Sequence, residues 1–160
     1  MDSSSGDAVQ LGSIKLTGRS HAFETLSDPP LGRFGDALEL VSGQLEPAQV
    51  RSAEKVTVKL RWRAAAELQQ AYKVFVHVLD PAGQQLVAQR DAEPQDGGAP
   101  TTGWVVGEVI DDAYAVALPA GLAAGDYPVE VGVYDPRTGD RLRLTNGDNR
   151  LLLETRVQVR

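Results

Sequence analysis

The side chains able to do chemistry in this sequence are few and widely spaced. Only two histidines are present. His77 lies in "AYKVFVHVLD", residues 71–80, flanked by apolar residues, while His21 lies far away in an irregular N-terminal third. Catalysis by histidine needs an acid, a base or a nucleophile within hydrogen-bond reach of the imidazole. No G-x-S-x-G elbow supplies a serine. Strand alternation sends Val74, Val76 and Val78 one way and Phe75, His77 and Leu79 the other, so both faces are largely apolar. His77 therefore reads as a structural imidazole, buried or half-buried, bonded to backbone or to a nearby Asp.

Other polar groups face the same weighing. Asp111 and Asp112 are a pair of carboxylates, but neighbours on a strand point to opposite faces and cannot flank one bond. One is expected in solvent and the other against a loop. The turn residues Asp135 and Asp140, with Asn146, Asp148 and Asn149, offer oxygen ligands for calcium. They lack EF-hand spacing, and turn chemistry already accounts for them. No cofactor is expected, with calcium at Asp135, Asp140 and Asp148 as the weak alternative. Trp104 ends a long Gly/Pro/Thr-rich loop. An exposed indole there would stack on a sugar or anchor a partner; the preferred reading is a plug for the end of the fold. Asp91 and Asp111, at strand ends, are expected to accept backbone N–H groups that fix this loop. The candidate ligand or partner surface is thus Trp104, Asp91, Gln89, Asp111 and His77.

The elements that must position these groups are strands. In "KVTVKLRWR", Val56, Val58, Leu60 and Trp62 alternate with Thr57, Lys59, Arg61 and Arg63. "DALELVSG", "QQLVAQRD", "GEVIDDAYAVAL", "GDYPVEVGVYD" and "LLLETRVQV" extend the pattern, and "VQLGSIKL" adds a candidate near the N-terminus. The Ala-rich "RAAAELQQAY" is too short to stand as a helix. "LDPAGQQL" and "YDPRTGDRL" each follow a strand with Asp-Pro and place a Gly where the chain must return, and "TNGDN" carries a hairpin pair. The fold class is all-β: an antiparallel two-sheet β-sandwich, Ig-like or jelly-roll-like, with eight or nine strands. Tyr127 is placed to anchor a tyrosine corner. Residues 1–8 read as a flexible linker, and residues 9–160 as one domain with long loops at 30–35 and 92–107.

Composition narrows the role. The chain of 160 residues is long enough to bury a core without metal or disulfide. A net charge of −6 argues against a nucleic-acid surface and against docking on anionic lipid. The absence of cysteine excludes thiol chemistry and Cys-based zinc sites. No apolar run approaches a membrane span, so no direct membrane insertion is expected. "MDSSSGD" has neither the basic nor the apolar region of a signal peptide, and suggests a fragment of a longer protein with Met1 added.

Four runs carry a more specific resemblance: "FGDALELVSGQLEPAQVRSAEKVTVKLRWRA", "YKVFVHVLDPAGQQLVAQRDAEP", "TTGWVVGEVIDDAYAVALP" and "GDYPVEVGVYDPRTGDRL". They resemble the soluble C-terminal β-sandwich domain of bacterial multi-pass membrane proteins of the dolichyl-phosphate-mannose–protein mannosyltransferase type and related glycosyltransferases. The resemblance spans residues 34 to 144 and continues weakly to the C-terminus. Its marks are Trp62, Phe75 and His77, Gln89 and Asp91 before Pro94, Trp104 with Gly107 and Glu108, and Tyr134-Asp135 with Gly139 and Arg141. Two places depart from it: "VRSAEK" stands for a Pro-Gly turn, and "LAAGDY" lacks a proline before its glycine. The resemblance implies a non-catalytic accessory domain on the extracytoplasmic side, whose partner is the rest of a parent membrane protein. Transferase chemistry resides in the membrane portion of such proteins, so no catalytic residue carries over. The alternative is a carbohydrate-binding module contacting an acceptor glycan or lipid-linked sugar. That role calls for two or three exposed aromatics on one surface, whereas Trp62, Tyr72, Trp104, Tyr114 and Tyr134 mostly alternate into apolar faces.

Overall fold

The computed structural model describes residues 19–160. The expected linker 1–8 and the candidate strand "VQLGSIKL" lie outside the described residues. Within them the chain forms β1 (Ala22–Phe23), β2 (Gly32–Phe34), β3 (Leu38–Glu46), β4 (Gln49–Val50), β5 (Lys55–Ala64), β6 (Lys73–Leu79), β7 (Leu86–Ala92), β8 (Glu108–Ala117), β9 (Gly125–Tyr127), β10 (Val129–Tyr134), β11 (Leu151–Leu152) and β12 (Val157–Val159). A five-stranded sheet runs β1-β8-β5-β3-β2 and faces a four-stranded sheet, β11-β10-β6-β7. The all-β sandwich is therefore the architecture.

Alternation builds the interior. On β5 every second side chain from Val56 to Ala64 is buried, and on β8 the same holds from Ile110 to Val116. These faces meet Val74, Val76 and Val78 of β6 and Val129, Val131 and Val133 of β10, all buried. Each such valine contributes about 1.5 kcal/mol or more of transfer free energy. A β-branched face of this kind suits the pleat, because its χ1 rotamers are already restricted.

The strand count exceeds the expected eight or nine because proline and turns cut long strands into short ones. Pro128 separates β9 from β10: without an N–H it cannot extend the ladder. β9 turns instead to β12, which also pairs in parallel with β4, giving a small third sheet β4-β12-β9. "LLLETRVQV" is not one strand, since residues 153–156 interrupt it between β11 and β12. The stretch 30–35, expected as a loop, contains the edge strand β2. It pairs with β3 from Gly32↔Leu40 to Phe34↔Leu38, and Arg33 donates to the Glu39 carboxylate across the ladder. Three residues are too few to show a period, which is why alternation missed them.

The turns follow their chemistry. Gly83 and Gly139 take φ of 73° and 80°, a region that costs glycine nothing. In each turn the preceding aspartate accepts a backbone N–H: Gln84 donates to Asp80 Oδ1 at 2.8 Å, and Arg137 to Asp135 Oδ1 at 2.9 Å. These bonds hold both carboxyls below the usual aspartate range. The corner also forms, with the Tyr127 hydroxyl donating to the Ala123 carbonyl at 2.7 Å. Replacing Tyr127 with Phe should lower unfolding free energy by about 1 kcal/mol, the net worth of one hydrogen bond. Urea denaturation measures it, and an unchanged midpoint at equal slope would deny the corner a stabilising role.

Candidate functional site

Trp104 is not on the surface. It is 0% exposed, and its indole N–H donates to the Ala99 carbonyl at 2.8 Å. Its ring centroid lies 6.4 Å from that of Trp62, which in turn lies 6.0 Å from Phe34. Thr101, buried beside it, donates to the Gln70 carbonyl at 2.6 Å and accepts the Tyr72 N–H at 3.0 Å. The loop therefore plugs the sandwich, as the preferred reading of Trp104 has it, and the alternative of an exposed indole falls away: a ring this large gains most from leaving water.

The far end of the loop is clamped by Asp112, not by Asp91 and Asp111 as expected. Gln95 donates its backbone N–H to Asp112 Oδ1 at 2.8 Å and its side-chain amide to the Asp111 carbonyl at 2.7 Å. Gln95 and Asp96 sit at φ of 56° and 52°, left-handed backbone that costs about 1–3 kcal/mol per non-glycine residue. Arg90 holds the Asp96 carboxylate at 2.6 Å. Asp111 cannot take the clamp because its side chain faces out, where Arg61 grips it at 2.7 and 3.3 Å. Asp91 instead accepts the Tyr134 hydroxyl at 3.1 Å.

Asp112 is only 6% exposed. Its Oδ1 also takes the Ala113 N–H at 3.1 Å. The Tyr114 hydroxyl and Trp62 Nε1 lie buried beside it without completing a hydrogen bond, as does its own Oδ2. Burial pushes its carboxyl above the usual range, against the partial opposition of Tyr114, Gln95, Ala113 and Trp62. Burial also drives the Tyr114 hydroxyl up, with the Asp112 charge adding to it.

His77, Gln89 and Asp91 share the outer face of the four-stranded sheet, on the neighbouring strands β6 and β7. The His77 partner is Glu130, neither backbone nor Asp: Nδ1 lies 2.9 Å from Glu130 Oε2, and Asp91 stands farther off at 3.9 Å from Nε2. Arg150 holds the other Glu130 oxygen at 2.8 Å. Register makes this meeting, since Glu130 lies directly opposite His77 on β10. Beside it the Phe75 ring lies flat on Gly132, where a Cβ would come within 2.0 Å of the ring. His21 repeats the arrangement at the other sheet, its Nδ1 at 2.8 Å from Glu108. Glu108 is 0% exposed and also receives Arg19 and the Val105 N–H. Burial raises the Glu108 carboxyl, but Arg19, Val105 and His21 together outweigh it and hold it below the usual range. The His77 imidazole is thus hydrogen-bonded to a buried carboxylate, and the His21 imidazole lies against another.

The outer face of the five-stranded sheet carries a different surface. A depression of about 740 Å³ is lined by Ser42 and Gln44 of β3, Lys59 and Arg61 of β5, Asp111 of β8, and Gln95 at its rim. Lys59 pairs with Glu46 at 2.8 Å, so its charges are mostly matched while its hydrogen-bonding groups stay accessible. Of the expected surface residues only Asp111 belongs here. Of the missed ones, Lys59 and Arg61 were visible as polar alternates of "KVTVKLRWR", which read simply as a clean polar face, while Ser42, Gln44 and Gln95 carried no local signal. The calcium candidates divide between two turns. Asp135 is engaged by Arg137 and Gln70, and Asp148 by Asn146. No group of three metal-ligating residues stands together among the described residues.

No family model matches the chain, and no curated protein matches it in sequence. Among solved structures it is similar to the C-terminal domain of Wzt, with TM-score 0.55 and 13% identity over 81% of this chain and 77% of that one. It is also similar to a CARDB domain from Pyrococcus furiosus, solved with di-metal ions, at TM-score 0.44 and 16% identity over 87% and 99%. A Niemann-Pick type C2 protein from the Japanese carpenter ant follows at 0.39 and 7%, over 87% and 99%. The first supports a shared β-sandwich fold; the other two are too distant to carry an argument.

The buried carboxylate sets the sign of one pH effect. A folded-state value raised above the ordinary 3.8 means Asp112 favours folding below about pH 3.8 and loses that contribution as pH rises through its folded value. The stability of the parent minus that of Asp112→Asn should therefore fall as pH rises above about 4. Glu39, held low by Arg33 and Arg63 against its burial, and Glu108 have the opposite sign but cancel in the difference. Paired urea melts measure it, and a flat difference would mean that Asp112 is not destabilised as an anion.

Proposed function

We propose that this chain is a non-catalytic accessory domain on the extracytoplasmic side of a larger membrane protein, of the glycosyltransferase-like kind its sequence resembles, and that it works by contact. The observation that carries the reading is the open polar depression on the five-stranded sheet. It offers hydroxyl, amide, guanidinium and carboxylate groups on rigid strands, with neither His21 nor His77 in its lining. Such a surface orients a polar partner but holds no free acid, base and nucleophile in one place. The likeness to the C-terminal domain of Wzt supports the β-sandwich of this reading and nothing of its setting. Among the described residues no helix is long and apolar enough to cross a membrane, so in this reading the anchor belongs to the parent.

A second reading, a carbohydrate-binding module, is favoured by one feature: adjacent Ser42, Gln44 and Gln95 with the Arg61–Asp111 fork match the donors and acceptors of sugar hydroxyls. Against it stand the aromatics. Trp62, Trp104 and Tyr114 are buried, which leaves no stacking platform on that face.

Glycan-array binding of the parent and of Gln44→Ala/Lys59→Gln separates the two. A blank array, together with cross-linking from the cleft to the membrane portion of the parent, is the outcome expected for the accessory role. Robust binding that the double variant loses by about tenfold or more would transfer the function to glycan recognition. Binding that the double variant keeps would remove the cleft from both readings.

A further inference from the structure

We propose that Arg141 and Arg143 form a receiving site for a small oxyanion, a carboxylate or phosphate borne by a sugar or free in solution. The site lies on the segment that follows the 135–140 turn, joined to β10 by a single bridge between Tyr134 and Arg141, away from the depression of the five-stranded sheet, and does not rest on the reading given to that depression.

The pleat sets the geometry. Arg141 and Arg143 alternate with Leu142 and Leu144. The leucines turn inward, where Leu142 covers Gly35 and Leu144 covers Gly32. The two guanidiniums are therefore sent outward on one side. The segment is fixed by backbone bonds, Leu142 N–H to the Val133 carbonyl at 2.8 Å and Gly35 N–H to the Arg143 carbonyl at 2.8 Å. Arg141, Arg143 and Asn149 line a surface depression of about 420 Å³. Arg143 and Asn149 also line the depression beside it.

What singles this pair out is that two arginines with no carboxylate partner among the described residues line one depression. The arginines on either side in sequence are committed, Arg137 to Asp135 and Arg150 to Glu130. Arg141 and Arg143 have only neutral partners among the described residues. Arg143 donates to the Gly147 carbonyl at 2.8 Å, and Arg141 reaches the Asn149 side-chain oxygen at 3.5 Å. The Arg141 guanidinium lies 4.3 Å above the Phe75 ring, which fixes its plane without neutralising it. A guanidinium carries five N–H donors in a fixed fork, so most remain available after these contacts. In a chain of net charge −6, two oriented and uncompensated guanidiniums beside an amide are a concentrated exception. Asp140 on the same rim and Asp148 in the adjoining depression are opposing charges. They limit the site to a single small anionic group.

The test titrates labelled protein at constant ionic strength with sodium phosphate, sodium galacturonate and neutral galactose, following backbone amide shifts. Phosphate and galacturonate should give saturable shifts at residues 141, 143 and 149, and galactose should give none. Tighter binding of galacturonate assigns the anion to a sugar acid, and tighter binding of phosphate to a phosphate. Arg141→Gln/Arg143→Gln should weaken binding by about tenfold or more, the worth of charge-assisted bonds, while Asp140→Asn should strengthen it. If the double variant does not fold, Arg143→Lys keeps the charge without the fork and should still weaken binding severalfold. Shifts that do not saturate, that persist in the variant, or that galactose reproduces would overturn the proposal.

Discussion

The structure depends on how Trp62 is buried. It stands near the C-terminal end of β5, between β3 and β8, with Phe34 and the loop-borne Trp104 as its aromatic neighbours. Through these rings the five-stranded sheet, its edge strand β2 and the 92–107 loop share one apolar layer. The same layer also encloses Asp112 and Tyr114, so polar groups and the largest apolar rings are packed together. A tryptophan here fixes the distance at which the loop must cross the end of the sandwich. It thereby decides that Gln95 reaches the rim of the polar depression.

Charge is organised around buried carboxylates. Glu39 sits between Arg33 and Arg63, Glu108 among Arg19, His21 and the Val105 N–H, and Glu130 between His77 and Arg150. Each lies at a sheet and receives at least two donors, which is the condition under which a buried anion is tolerated. Asp112 is the departure, with one oxygen satisfied and the other not. The result is a chain in which His21 and His77 each lie against a buried glutamate, while hydrogen-bonding groups of β3, β5 and β8 line the depression on the outer face.

Much of the fold was legible because period two is a strong signal over ten residues. Val56 to Trp62 and Ile110 to Val116 declared their faces without help, and Asp-Pro followed by Gly declared two turns. The split of Asp111 and Asp112 to opposite sides followed from the same rule. What the sequence did not show was pairing. Nothing local says that His77 meets Glu130, or that the clamp on the loop is Asp112 when Asp111 is its neighbour, since both depend on register between strands tens of residues apart. Short edges such as β2 were lost for want of length. Trp104 was ambiguous because an indole suits either a plug or a platform, and only the Ala99 carbonyl decides between them.

The small sheet has a consequence for the order of assembly. β12 is laid between β4 and β9, joining Gln158 to Gln49 in one direction and Val157 to Tyr127 in the other. Until that strand is in place, Val50 and Tyr127 lack a neighbour and the sandwich stays open at one side. Closing a chain over so long a span is entropically slow, and folds dominated by distant pairings are slow as a class. That side of the sandwich is therefore sealed only when three segments far apart in the chain, residues 49–50, 125–127 and 157–159, have come together.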